Sequence, residues 1–203
     1  MSQTIIALAI NGIVFGLIVA LIALGLSIIF GLLDIINLSH GDFFMVGTVI
    51  AYTTLASLGY YWPALLIAPL IGFALGALIQ FSIIQRIKNN AALSIVATFG
   101  LSMIIQEVVR MTFGAAPKRI MPPISGTFGM FGIEYEWYRI FAAIASIIAI
   151  GSFFIFLKST KLGVWMRAVR HDRDTATTMG IPTQQIYLFT FGIGFAMAAI
   201  GGV

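Results

Sequence analysis

KSTKLGVWMRAVRHDRDTATTMGIPT, residues 158–183, is the one long polar segment in a 203-residue chain that is otherwise nearly all apolar. It carries Lys158, Lys161, Arg167, Arg170, Asp172, Arg173 and Asp174, a large share of the chain's 11 basic and 7 acidic residues. Uncharged apolar runs flank it, residues 140–157 before and 175–203 after. Further out, residues 1–33, 43–85 and 89–106 also lack Asp, Glu, Lys and Arg. Each run reaches the ~18 residues that a spanning helix needs. Bare backbone N–H and C=O groups are not tolerated in hydrocarbon, so such runs form helices or a closed barrel. Barrel strands would alternate apolar with polar residues, and these runs do not. The composition, 60% apolar and 9% charged, excludes a soluble domain. The sequence predicts an all-α, polytopic transmembrane helical bundle forming a single domain, residues 1–203.

Six spans are expected, at about residues 4–30, 43–57, 63–85, 92–111, 139–157 and from 184 onward. The second is short for a full crossing. Gly12 with Gly16, and Gly72 with Gly76, have the GxxxG spacing that permits close helix packing. Tyr60, Tyr61 and Trp62 read as interfacial anchors. Residues 113–138 read as a Pro- and Gly-rich loop containing a short hairpin or interfacial segment. The first five residues carry no Lys or Arg and the apolar run after them is too long for a signal peptide. The last residues, Gly201, Gly202 and Val203, follow the sixth apolar run with no polar cap or basic anchor, which reads as a truncation within that span.

Basic residues set the orientation. With residues 158–183 in the cytoplasm and the spans alternating, Arg86 and Lys88 also fall inside. Arg110, Lys118, Arg119 and Arg139 then fall outside, and so does the N-terminus. The net charge of +4 sits in these loops as a positive-inside signal, not as a nucleic-acid footprint. There is no cysteine, so neither disulfide nor thiolate chemistry is available. No P-loop, HExxH or paired CxxC occurs, so no cofactor, metal site or ATP hydrolysis is expected from motifs.

Three polar clusters carry candidate chemistry. In residues 158–183, a short interfacial helix is expected around Trp165–Ala168, with Trp165 and Met166 in the lipid boundary and Arg167 toward phosphate head groups. Asp172 or Asp174 can cap a second short helix, Gly180 suits a left-handed C-terminal cap, and Thr183 can cap the next span. Ala176, Met179 and Ile181 would then be offered to a partner; the alternative is an ordinary positive-inside loop. The second cluster, Asn37, Ser39, His40, Gly41 and Asp42, is expected near the cytoplasmic ends of the first two spans. It lines a translocation path or makes a structural helix break, with Gly41 allowing the break and Asp42 capping span two. The third is Gln106, Glu107 and Arg110 at the outer end of span four, where Glu107 and Arg110 can pair along the helix. His171 reads as solvated.

Residues 160–181, TKLGVWMRAVRHDRDTATTMGI, and residues 25–47, GLSIIFGLLDIINLSHGDFFMVG, resemble the permeases of branched-chain amino acid ABC importers. The second stretch fits that family's N-x-x-HG-x-F/L-x-x-x-G pattern at Asn37, His40, Gly41, Phe43 and Gly47. The resemblance runs from about residue 10 to the end of the chain, in order and in register. It implies a type II importer permease fold with further spans beyond six, paired with a second permease subunit in the bacterial inner membrane. It also implies cytoplasmic ATP-binding subunits and a periplasmic substrate-binding protein as partners. Residues 158–183 become the coupling loop, with Arg167, Ala168, Asp172, Ala176, Met179, Gly180 and Ile181 toward the ATP-binding subunit. The implied substrate is a branched-chain amino acid or a related small neutral solute. The alternative is a secondary transporter or channel without an ATPase; proton coupling would need ionisable groups at mid-span, and all of them are expected toward span ends. A membrane-embedded enzyme is disfavoured because no nucleophile or metal set accompanies His40 and Asp42.

Overall fold

The computed structural model describes residues 2–87, 90–116, 118, 123–124, 126–130 and 133–203. Lys88 and Arg119, both used in the charge count, lie outside the described residues. Helix α1 spans Ser2–Leu33. A 3-10 turn at Leu38–Gly41 leads into α2, Asp42–Leu58. Helix α3 crosses over Ala64–Ile87, with a π-helical turn at Gln80–Ile84. Then come α4, Ala91–Phe113, the hairpin strands β1, Thr127–Met130, and β2, Ile133–Glu136, and α5, Trp137–Ser159. Two short helices follow, α6, Lys161–His171, and α7, Arg173–Thr178, before α8, Thr183–Gly201. Six of these segments are long and apolar enough to cross a membrane. The protein is thus the expected all-α, multi-pass bundle.

Helix α8 is the core of the bundle. Its apolar window is 56% buried, against 11–33% for the other five. It packs most extensively on α3 and next on α1, and it touches α2, α6 and α7 as well. Lipid tails are as apolar as Leu, so helix association in a membrane depends on close fit, and glycine provides it. At the α1–α8 crossing a Cβ on Gly25 would lie 2.5 Å from the Gly194 carbonyl, and one on Gly194 would lie 2.8 Å from the Gly25 carbonyl. On α3, a Cβ on Gly76 would come within 2.7 Å of the Phe191 carbonyl and one on Gly72 within 3.0 Å of the Phe195 carbonyl. Gly47 of α2 abuts the Ala199 backbone. The second GxxxG pair is therefore the α3–α8 contact. The first is not used among the described residues, since a Cβ at Gly12 or Gly16 meets nothing within 4 Å there.

The two ends of the bundle differ. At one end the α1 terminus, α6 and α7 meet: Leu32 and Leu33 pack on a cluster of Met166, Val169, Ala176, Ile186 and Tyr187. At the other, β1 and β2 pair antiparallel with Phe128 opposite Tyr135. The Tyr135 hydroxyl donates to Asn11 Oδ1 at 2.9 Å, and Arg139 donates to the same oxygen at 2.6 Å. Of the three expected interfacial anchors, Tyr61 is buried against Tyr138 and Ala64, while Tyr60 and Trp62 are exposed.

Gly76→Val should lower thermal stability in detergent by about 1–3 kcal/mol, the usual cost of forcing a side chain into a packed contact. Gly12→Val should leave the melting temperature of the isolated chain unchanged, and equal effects of the two would contradict this packing.

A candidate transport site at a break in mid-membrane

Helix α1 ends at Leu33, and Asp34 takes a left-handed conformation, φ +53°, with its N–H donating to Phe30 O at 2.8 Å. Aspartate tolerates that conformation better than most side chains. The chain then turns back into the bundle. Asn37, extended at φ −109°, caps the 3-10 turn: its Oδ1 accepts from the Ser39 N–H at 3.1 Å and the Ser39 hydroxyl at 2.8 Å. Both partners are donors, so this atom is the amide oxygen. The Leu38 N–H donates to Thr98 Oγ1 of α4 at 3.2 Å, and that hydroxyl donates to Ser94 O at 2.9 Å.

Three helices fix the depth of this turn. His40 Nε2–H donates to Ile22 O at 3.1 Å, and its ring stacks on Phe195 at 5.4 Å. Asp42 Oδ1 accepts from Gln106 Nε2 at 2.8 Å, and the same amide reaches Ser102 Oγ at 3.0 Å. Ile22, Phe195 and Ser102 each lie about three turns, roughly 16 Å, from the end of their helix nearest α6 and α7. The hydrocarbon core is ~30 Å thick. His40 and Asp42 therefore sit near mid-membrane, and α2 begins there. One expectation is corrected. The cluster does stand at the start of the second spanning segment, Leu38–Leu58, but it lies level with the middle of α1, α4 and α8, so ionisable groups do occur at mid-span depth. Following α1 out to Leu33 hides the return of the chain beside it.

The five residues divide in role. Asn37 and His40 are 4% and 2% exposed, and Ser39 is fully buried. Asn37 Nδ2, His40 Nδ1 and Asp42 Oδ2 are buried with no hydrogen-bond partner among the described residues. Gly41 has an ordinary helical φ of −63°, so the break does not require it; the unusual backbone is at Asp34. Asp42 is the first residue of α2 and does not cap it. Its carboxylate is spent on Gln106 instead. In sequence Gln106 falls beside Glu107 and Arg110. The latter two do pair, at 2.8 Å, but Gln106 belongs to Asp42. The signal for it was present: Ser94, Thr98, Ser102 and Gln106 recur every fourth residue, a polar stripe down one face of an apolar helix.

The α6–α7 unit is a capped helix–turn–helix. Thr160 Oγ1 caps α6 through the Gly163 N–H at 3.1 Å. Asp172 caps α7 through the Asp174 and Thr175 N–H groups at 2.9 and 3.0 Å. The Thr175 hydroxyl first, then its backbone N–H, hold the Asp172 carboxyl below the usual carboxylate range. That cap is present above the ordinary carboxylate pKa and is lost only as pH falls through the lowered one. Gly180 is left-handed, φ +82°. Thr183 makes no cap; Pro182 holds the N-cap position of α8, with no side-chain cap bond.

Which side chains face outward differs from expectation. Met166 is buried in the protein, not in the lipid boundary, and Trp165 packs on the same cluster. Ala176 is 3% exposed, wedged against that cluster, and Ile181 is half-buried there. Arg167 donates to the Leu157 carbonyl at the end of α5. Ala168 is half-buried. Met179 stands clear at 76% exposed, beside Gly180 and the α7 cap. Arg173 lies over the Tyr187 ring at 5.4 Å, joining α7 to α8.

A multi-pass bundle with a backbone break at mid-depth and a rigid helical pair at one end has the architecture of a transport permease. Residues 8–203 match the family described as "Branched-chain amino acid transport system / permease component", and the chain belongs to that family. It is 27% identical over 208 residues to the high-affinity branched-chain amino acid transport system permease protein LivH of Salmonella typhimurium, covering 95% of this chain and 68% of that protein. BraD of Pseudomonas aeruginosa, with the same description, is 26% identical over 96% of this chain and 68% of its own length. LivM of Escherichia coli, another permease protein of such a system, is 25% identical over 90% of this chain and 48% of its own. No solved structure matches the chain. These are permease components and not enzymes.

Thr98→Val should strand the Leu38 N–H and cost about 1–3 kcal/mol. Ser146→Ala removes a hydroxyl that, among the described residues, bonds to its own helix at Ala142 O, and should fall within about 0.5 kcal/mol of the unchanged protein. Thermal unfolding in detergent separates them, and equal melting temperatures would remove the α4 anchor.

Proposed function

We propose that this chain is the membrane permease subunit of an ATP-driven importer for branched-chain amino acids or related small neutral solutes. ATP hydrolysis occurs on separate cytoplasmic subunits that engage residues 158–183. A second permease subunit completes the path in the bacterial inner membrane, and a periplasmic substrate-binding protein delivers solute from outside. Family membership supports this reading over a secondary transporter or channel. Mid-span charge does not separate the two readings, because His40 and Asp42 are at mid-depth.

The capped α6–α7 pair is the observation that carries the coupling. It is anchored below on Leu32 and Leu33 of α1 and on Ile186 and Tyr187 of α8. Helix α8 continues from there through the core to Phe195, which stacks on His40 and Phe43. A push on α7 thus reaches the mid-membrane break through one continuous helix. Two alternative packings of that helix would give outward- and inward-open states whose balance nucleotide shifts. Asn37, Ser39, His40, Gly41 and Asp42 line the path in this reading. On the coupling side, Met179, Gly180 and Asp172 form the outward edge. Ala176 and Ile181 support it from beneath, Arg167 fixes α6 to α5, and Ala168 lies half-buried on the same helix.

Docking of an apolar tip in a groove depends on close fit. Met179→Arg should leave membrane levels normal, because the side chain touches no core cluster. Co-purification with the ATP-binding subunit and substrate-stimulated ATP hydrolysis should fall about tenfold or more, since an unpaired charge in a buried contact costs several kcal/mol. Retention of both would contradict a docking role. Ala176→Arg is a poor probe, as it would disrupt the chain's own packing.

A further inference from the structure

The end of the bundle that carries α6 and α7 holds a charged notch apart from the mid-membrane break and from the Met179 edge. Gly163 sets it up by letting α6 lie against the end of α5, where a Cβ would run into the Phe156 and Leu157 carbonyls. Gly163, Arg167 and Arg170 recur at i, i+4 and i+7, so they share one face of α6. Arg167 accordingly donates to the Leu157 carbonyl. The Arg170 guanidinium lies beside Gly31 of α1, its carbon 3.7 Å from where a Cβ there would stand. Between them is a notch of about 70 Å³ whose lining includes Ser27, Gly31, Leu32, Leu157, Arg167 and Arg170.

The notch is electropositive and uncompensated. The ion pairs among the described residues are Arg110–Glu107 and Arg139–Glu136, on other elements. The carboxylates of this end, Asp34, Asp172 and Asp174, pair with neither arginine. Arg170 makes no hydrogen bond among those residues, Arg167 spends one N–H on Leu157, and the Ser27 hydroxyl has no partner there. Lys158 and Lys161, exposed around the α5–α6 junction, add charge of the same sign. Depth follows from α1. The crossing Ala7–Leu33 has 27 residues, about 40 Å in length, which matches a bilayer with its headgroups. Gly31 and Ser27 then lie roughly 3 and 9 Å inside the end of α1, across the headgroup layer and its border with hydrocarbon. Pockets for whole small molecules start at ~300 Å³, so this notch takes one functional group of a ligand whose body lies elsewhere. Leu26, Phe30 and Phe154 of the same two helices are exposed to receive an apolar body.

We propose that the notch binds the phosphate of an anionic phospholipid, with the acyl chains lying along α1 and α5. Two guanidiniums and a hydroxyl suit a phosphodiester, since arginine's planar fork matches phosphate oxygens. Basic pockets between spanning helices hold anionic headgroups by the same chemistry. A carboxylate of a protein partner is the rival occupant. Lipid is favoured because Arg170 reaches back along α1 to Gly31, within the membrane, whereas the exposed tip at Met179 lies one helix further on. Residues from α1, α5 and α6 all line the notch, so a bound lipid ties the capped pair to the bundle from the lipid side. This goes beyond the permease reading and does not depend on it.

The test titrates the whole chain in detergent with phosphatidylglycerol and with phosphatidylethanolamine, and counts bound lipid by native mass spectrometry. Phosphatidylglycerol should be retained in preference. Arg170→Gln should weaken its binding about thirtyfold, the scale of a lost charge-assisted hydrogen-bonded contact. Lys161→Gln removes equal charge from the same helix outside the notch and should weaken binding about fivefold or less. Gly31→Leu keeps every charge but fills the notch, and should match Arg170→Gln. Inorganic phosphate should not displace the lipid. Equal losses from Arg170→Gln and Lys161→Gln would reduce the notch to general surface charge and overturn the site, as would full retention in Gly31→Leu. Displacement by inorganic phosphate would overturn the lipid assignment. So would unchanged lipid retention in Arg170→Gln together with loss of the ATP-binding subunit on purification, the result expected if the arginines meet a protein carboxylate.

Discussion

A backbone that leaves its helix inside a membrane must find partners for every exposed N–H and C=O, because no water is there to supply them. The stretch from Asp34 to Asp42 meets part of that demand with its own side chains and with a hydroxyl from α4. Asn37 closes the turn on Ser39, Thr98 receives the Leu38 N–H, and His40 ties the turn to the α1 backbone at Ile22. Remove these and α2 could not begin at mid-depth. Asn37 Nδ2, His40 Nδ1 and Asp42 Oδ2 have no hydrogen-bond partner among the described residues.

That arrangement holds only if the surrounding helices approach closely. Glycine-to-carbonyl contacts at Gly25–Gly194 and Gly76–Phe191 bring α1 and α3 onto α8. Phe195 and Phe43, 3.7 Å apart between ring centroids, then seal the floor beneath His40. The same helix α8 is clasped at its start by α6 and α7 through Ile186 and Tyr187. One rigid element therefore joins the polar break to the capped pair at the bundle's end, which is the physical basis for coupling the two.

Much of this was legible in the sequence. Charge-free runs mark all six crossings, because solvation of charge and of backbone leaves few alternatives. The caps at Asp172 and Gly180 were readable because local chemistry decides them. Depth was not. Asp34, Asn37 and Asp42 look like the loop between two ordinary spans. Only contacts distant in sequence, to Ile22, Thr98 and Gln106, show that the chain folds back. Exposure failed for a related reason: Ala176 and Met179 both look available on a short helix, and tertiary packing buries one and presents the other. Gly12 and Gly16 show the converse, a packing motif whose partner is not in this chain's own core.

The depth of residue 38 tests the account most directly. Leu38 and Phe99 are both exposed on the bundle surface, and the Leu38 contact with Thr98 puts them at one level. Nitroxide labels at Leu38→Cys, Phe99→Cys and Lys158→Cys, in nanodiscs, can be ranked by their relative accessibility to oxygen and to a polar nickel reagent. A re-entrant break predicts that labels at 38 and 99 report the same depth, roughly two helical turns or ~10 Å inside the boundary marked by 158. A label at 38 matching the one at 158 would mean that α2 starts at the membrane surface, and the mid-membrane site would not exist.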